Sequence, residues 1–129
     1  MQTIDIEYLN PKKGSKILDL GCGQGRHCFG AYMFVDADVF GFDMSHEDVI
    51  KAKENFKEFD ESSSFKSCSF GVTDGRELPF EDNSFDYVIC SEVLEHIIDF
   101  ELVIEEIERI LKPGGMLAAS VPKYLPEWI

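Results

Sequence analysis

Basic residues are scarce in this chain. Twelve lysines and arginines stand against 25 aspartates and glutamates, a formal net charge of −13 over 129 residues. A surface of that sign repels phosphate backbones and anionic lipid, which disfavours a nucleic-acid substrate and leaves the charge to serve solubility. Long apolar runs are also missing. None approaches the roughly 18 residues that a bilayer span requires. The opening MQTIDIEYLN has no basic segment leading into an apolar block, so no secretory signal is expected. The four cysteines, Cys22, Cys28, Cys68 and Cys90, form no C-x-x-C pair, which argues against zinc. Cys22 and Cys90 adjoin apolar runs and read as small core residues. Reduced thiols without a leader point to the cytoplasm. There is no internal repeat and no low-complexity segment.

What remains is a globular composition, 44% apolar, with strand and helix patterns in alternation. The length suggests one domain with a sizeable core. Lys16 to Leu20 is a short apolar run that ends in glycine and reads as the first strand. Gly25 to Val35 follows as a helix, and Asp38 to Asp43 as the second strand. Ser45 opens the next helix, with Asp48 three residues on in the manner of a capping box. Its apolar face is predicted to hold Val49, Ile50, Ala52, Lys53, Phe56 and Phe59. Phe65 to Phe70 is a weak third strand. A turn-rich connection through Pro79 and Asp82-Asn83-Ser84 leads to the fourth, Phe85 to Cys90, apolar enough to be covered on both faces. Asp99 is expected to cap a long helix whose stripe is Phe100, Val103, Ile104, Ile107, Ile110 and Leu111. KPGG stops that helix, and Met116 to Val121 is the fifth strand. The alternation implies βαβ units, a parallel sheet and helices on both faces.

In such sheets ligands bind beyond the carboxyl ends of the strands. That is where ILDLGCGQG places Gly21, Gly23 and Gly25. Glycine lets a ligand approach bare backbone, because no Cβ intrudes. A dinucleotide fold would want a third small residue at position 26, for close helix–strand packing. Arg26 stands there instead, which makes a nicotinamide-dependent oxidoreductase the weaker reading. Asp43 ends the second strand twenty-two residues after Gly21. A carboxylate there can accept from both hydroxyls of a ribose, or serve only as a helix-start charge.

Four motifs occur in order: ILDLGCGQGRH, GFDMS, TDGRELPFEDNSFDYVICSEVLEHI and LKPGGML. Together they resemble the class I S-adenosylmethionine-dependent methyltransferases, most closely the small-molecule, type 11-like group, from Lys16 to Pro122. The resemblance implies a Rossmann-like, doubly wound, mostly parallel α/β sheet of strand order 3-2-1-4-5. It implies S-adenosylmethionine as cofactor and a small-molecule acceptor. The cofactor would lie on Asp19, Gly21, Cys22, Gly23 and Gly25. Asp19 would help hold the turn and the methionine amine, unless it only caps the loop. Asp43 would hold the ribose and Met44 the adenine face, unless Met44 is ordinary core. Asp74 would accept from the adenine amino group, unless it is a turn aspartate bonding its own backbone. Gly75 would offer its amide to a ring nitrogen, and Ser91 its carbonyl to the methionine amine. Arg26 could reach the methionine carboxylate or stay solvated.

Glu92, Glu95 and His96 share a helical face by their i, i+3, i+4 spacing. His96 or Glu92 could take the proton of an oxygen nucleophile. A metal on the three is disfavoured. The 2′-O-methyltransferases with this spacing need a further downstream histidine, and His27 and His46 both lie upstream. The family's sixth and seventh strands are not found in the 129 residues, so the chain is expected to be a single domain, incomplete at its C-terminus, with the fifth strand as an open edge. Pairing of two copies through that edge, or service to a partner protein as a non-catalytic cofactor-binding module, follow as alternatives.

Overall fold

The computed structural model describes residues 14–25, 28, 31–32, 37–59, 67–90 and 99–119. The strands are β1 (Ser15–Leu20), β2 (Ala37–Asp43), β3 (Cys68–Val72), β4 (Phe85–Cys90) and β5 (Leu111–Ala119), with helices α1 (His46–Phe59) and α2 (Phe100–Ile110). The strands form one sheet in the order β3-β2-β1-β4-β5. Every neighbouring pair is parallel, as the alternation of elements requires. No described helix is long and apolar enough to cross a membrane.

Side chains of a strand alternate between faces, and the sheet buries both. Ile17, Val39 and Ile89 go to one side, where they pack with Cys22, Cys28 and Ala31. Cys28, Ala31 and Tyr32 are helical, and Tyr32 meets Phe56 of α1 edge to face at 5.1 Å. Leu18, Leu20, Val88 and Cys90 go to the other side, under Val103, Ile107 and Ile110 of α2. Phe80 fills the corner of that layer, its ring 4.9 Å from Phe85 and 5.0 Å from Phe42.

Several local expectations are corrected. The first helix does not begin at Gly25, whose φ of +98° belongs to the preceding turn. In α1, Val49 and Ala52 are buried, but Ile50 is 44% exposed and Lys53 is exposed, so the apolar face is narrower than predicted. Ser45 does cap α1: its Oγ accepts from the Asp48 amide at 3.2 Å. Strand β3 starts at Cys68, three residues later than its sequence suggests, and runs to Val72, two residues later, pinned in register to Val39–Asp43 of β2. Strand β5 starts at Leu111, and KPGG lies within it as a bulge. Leu111 pairs with Phe85 and Met116 with Tyr87, so the residues between are looped out. Ser120 and Val121 lie outside the described residues. Asp99 holds the N-cap position of α2 but makes no side-chain cap. Its carboxylate accepts from Arg76 instead, at 3.2 Å.

The connection from Leu78 to Ser84 is fastened to α2 by groups the hydropathy pattern does not reveal. The Leu78 amide donates to Glu106 at 2.8 Å. Arg109 donates to Glu106 at 2.6 Å, to the Phe80 carbonyl at 2.7 Å and to the Leu78 carbonyl at 3.0 Å. In return the Asn83 and Ser84 amides donate to the Arg109 and Ile110 carbonyls, which satisfies the end of the helix. Arg109 and then the Leu78 amide hold the Glu106 carboxyl below its usual range. Arg109→Ala should therefore cost about 1–3 kcal/mol in urea unfolding, since it removes the charged partner of Glu106 and the donor to two carbonyls. A group with a depressed folded pKa stabilises above its unfolded value and loses that contribution as pH falls. The gap between wild type and variant should thus be full at neutral pH and narrow below about pH 4.

Candidate functional site

Strand β1 leaves the sheet at Leu20 into a turn that only glycine accommodates. Gly21, Gly23 and Gly25 have φ of +80°, +55° and +98°, the left-handed region that side-chain-bearing residues avoid. The turn hangs from the end of β2: the Gly21 and Cys22 amides both donate to the Phe42 carbonyl, at 2.7 and 3.1 Å. Asp43 completes the suspension. Its Oδ2 accepts from the Gly23 amide and its Oδ1 from the Ser45 amide, each at 2.8 Å. One carboxylate thus ties the glycine turn to the start of α1. A Cβ added at Gly23 would meet nothing within 4 Å, so the space above the turn is open.

Asp19 is buried beneath the turn and accepts from the Cys28 thiol at 3.4 Å. Hydrogen bonds with Cys22 and Cys68, then burial, then the charge of Asp19 push the Cys28 thiol well up. Burial and Asp19 push Cys90 up to about 12. These thiols stay protonated at neutral pH and behave as core. Cys22 is likewise buried, with its Sγ on the Gly23 carbonyl at 3.4 Å. Met44 is 70% exposed at the rim, which rules out the core reading.

The third wall follows β3. The Thr73 amide donates to the Asp43 carbonyl at 3.0 Å and carries the backbone to Asp74 and Gly75. Gly75 lies against Val103 and Leu20. The Asp74 carboxylate accepts from the Arg76 amide at 3.0 Å and from its Nη2 at 2.6 Å. The Arg76 side chain first, and its amide second, hold the Asp74 carboxyl down to about 2, so it is an anion across the physiological range. The site thus gathers Asp19, Gly21, Cys22, Gly23, Gly25, Asp43, Met44, Asp74 and Gly75 at the carboxyl ends of β1, β2 and β3. Arg26, His27, Ser91, Glu92, Glu95 and His96 lie outside the described residues. Sequence reasoning missed Arg76 and the Phe42 carbonyl. Arg76 had a faint signal, a guanidinium two residues from an acid in a turn; a carbonyl has none. A separate recess of about 440 Å³ beside Gln24 is lined by Glu47, Asp48, Ile50, Lys51 and Glu54, and includes none of the other turn residues.

A left-handed glycine turn, a carboxylate closing the second strand and an acid after the third thus lie together at the carboxyl ends of the strands of a Rossmann-like sheet. Residues 11–128 match the family model described as a methyltransferase domain, and the chain belongs to that family, the class I S-adenosylmethionine-dependent methyltransferases. S-Adenosylmethionine is the cofactor that goes with this membership. The chain is 36% identical over 121 residues to a methyltransferase of Schizosaccharomyces pombe, covering 92% of the chain and 43% of that protein. It is 36% identical over 114 residues to demethylmenaquinone methyltransferase of Staphylococcus aureus, covering 87% and 45%. Phosphoethanolamine N-methyltransferase 2 of Haemonchus contortus, solved with S-adenosyl-L-methionine, superposes with a TM-score of 0.78 at 31% identity, covering 88% of the chain and 26% of that structure. The chain therefore spans less than half the length of these relatives.

Proposed function

We propose that the glycine turn holds S-adenosylmethionine and that the protein to which this domain belongs transfers its methyl group to a small-molecule acceptor. The observation that carries this reading is the turn itself, three left-handed glycines braced by Asp43. The turn backbone receives the methionine and ribose, Asp43 accepts from the ribose hydroxyls, and Met44 packs on the adenine. Asp74 and the Gly75 amide meet the adenine edge. Asp19 supports the turn from beneath, and Ser91 offers its carbonyl to the methionine amine.

The cofactor supplies an activated methyl on a sulfonium. The chain's residues need mainly align the acceptor with it and exclude water. For an oxygen acceptor, His96 or Glu92 takes the proton. A small-molecule acceptor agrees with the net charge of −13, which repels polyanions. The domain belongs in the cytoplasm on this reading. On this reading residues 1–129 form one S-adenosylmethionine-binding domain.

Calorimetric titration with S-adenosylmethionine, S-adenosylhomocysteine and NAD tests the reading. Binding of the two sulfur nucleosides without NAD is expected. NAD binding alone would overturn it. A second reading rests on the β5 edge, where Met116 is 49% and Leu117 37% exposed. On that reading the edge pairs with a second copy or a partner protein, and the domain acts as a cofactor-binding module. Tight S-adenosylhomocysteine binding with no turnover on any acceptor, together with a dimer by sedimentation, would favour it.

A further inference from the structure

We propose that Arg76 is a positioning residue that makes the adenine edge selective for a 6-amino over a 6-oxo purine. The inference rests on the assignment of Asp74 to the adenine amino group. Arg76 grips the Asp74 carboxylate with three protons. Its backbone N–H donates to Oδ1 at 3.0 Å, its Nε is shared between both oxygens at 3.1 Å each, and its Nη2 donates to Oδ2 at 2.6 Å. A carboxylate offers about four lone-pair sites. Three are thereby taken, and about one remains for a ligand.

The guanidinium is itself held from the far side. Its Nη1 donates to Asp99 at 3.2 Å, at the start of the helix whose Val103 packs against Gly75. The plane of the fork is fixed by two elements, and the fork in turn fixes the carboxylate. An ordinary exposed ion pair contributes little, because both side chains must be ordered against solvent. Here the contribution is one of direction: a bidentate fork sets geometry as well as charge. The Asp74 side chain keeps 46% of its surface open, so its remaining lone pair is accessible. That lone pair accepts from an exocyclic amine. A 6-oxo purine would present an acceptor to an anion that has no proton to give.

The test is calorimetric, on the full chain at neutral pH. Dissociation constants for S-adenosylhomocysteine and its S-inosyl counterpart are measured in wild type, Arg76→Ala, Arg76→Lys and Asp74→Asn, with thermal unfolding as a control. Wild type should prefer the adenosyl ligand by about tenfold or more, the scale of one hydrogen bond to a charged group. Arg76→Ala should cut that preference at least threefold, roughly half of that interaction, with unfolding unchanged. Arg76→Lys should not restore it, because an ammonium cannot bridge both oxygens in a plane. Asp74→Asn should cut it further than Arg76→Ala does, leaving only what the Gly75 amide contributes against the protonated N1 of a 6-oxo purine. If Arg76→Ala keeps the wild-type ratio while Asp74→Asn loses it, the role of Arg76 is overturned and the adenine site stands. A ratio restored by lysine would reduce Arg76 to a charge and overturn the fork. If wild type shows no preference, or Asp74→Asn keeps it, the assignment of Asp74 itself fails, and this inference with it.

Discussion

Asp43→Ala should weaken S-adenosylhomocysteine binding by roughly 10- to 150-fold, the equivalent of about 1.4–3 kcal/mol. Two losses combine. The first is the pair of ribose hydroxyls that the proposed site gives to this carboxylate. The second is the brace: the Gly23 and Ser45 amides, each 2.8 Å from an Asp43 oxygen, would lose their acceptor together. Left-handed glycines have no side chains to hold them, so the turn would sample conformations that do not fit the ligand, and ordering it would be charged to binding. Asp43→Asn keeps one oxygen, enough for one of the two amides, and should fall between the extremes. Calorimetry gives the affinities, and a ligand-free melt separates the brace from the ribose contacts. Unchanged affinity in the alanine variant would remove Asp43 from the site.

Gly41→Ala should cost about 1–3 kcal/mol of stability, the range for overpacking a filled core. A Cβ at this position lies 2.5 Å from the Cys28 Sγ and 2.8 Å from the Phe70 ring. Neither yields readily. Cys28 is fully buried and donates to Asp19, while Phe70 stacks edge to face on Phe56 at 6.0 Å. Removing the sulfur should relieve part of the clash. The pair Gly41→Ala with Cys28→Ala should therefore be less destabilised than the sum of its singles, by at least about 0.5 kcal/mol in a denaturant cycle. Additive costs would place the overlap elsewhere.

The sheet was legible because its signals are local and strong. FDYVIC reads as a buried strand and is β4 to the residue. The alternation of strands and helices implies parallel pairing, and the glycine turn marks the ligand end. What the sequence conceals is relational. Ile50 fits a helical stripe, yet it stays partly exposed on a helix that packs on β2 and β3 through its other residues. Asp99 sits where a cap belongs, but a guanidinium twenty-three residues upstream claims its carboxylate. KPGG reads as the helix breaker, yet the helix has ended at Ile110 and the strand has begun at Leu111 before KPGG is reached. Arg109 and Glu106 look like an ordinary i, i+3 surface pair. Their bonds to Leu78 and Phe80 need the folded chain to be seen.

The Phe42 carbonyl, which carries both the Gly21 and Cys22 amides, sets a limit on what mutation can reach. Every residue brings the same oxygen, so no exchange of side chain at 42 deletes that hook. It moves only if β2 slides along β1, and a one-residue slip would send every β2 side chain to the opposite face of the sheet, into a layer packed for other residues. The mouth of the site is thus protected by the pairing of the strands, while its specificity is left to side chains that drift can rewrite.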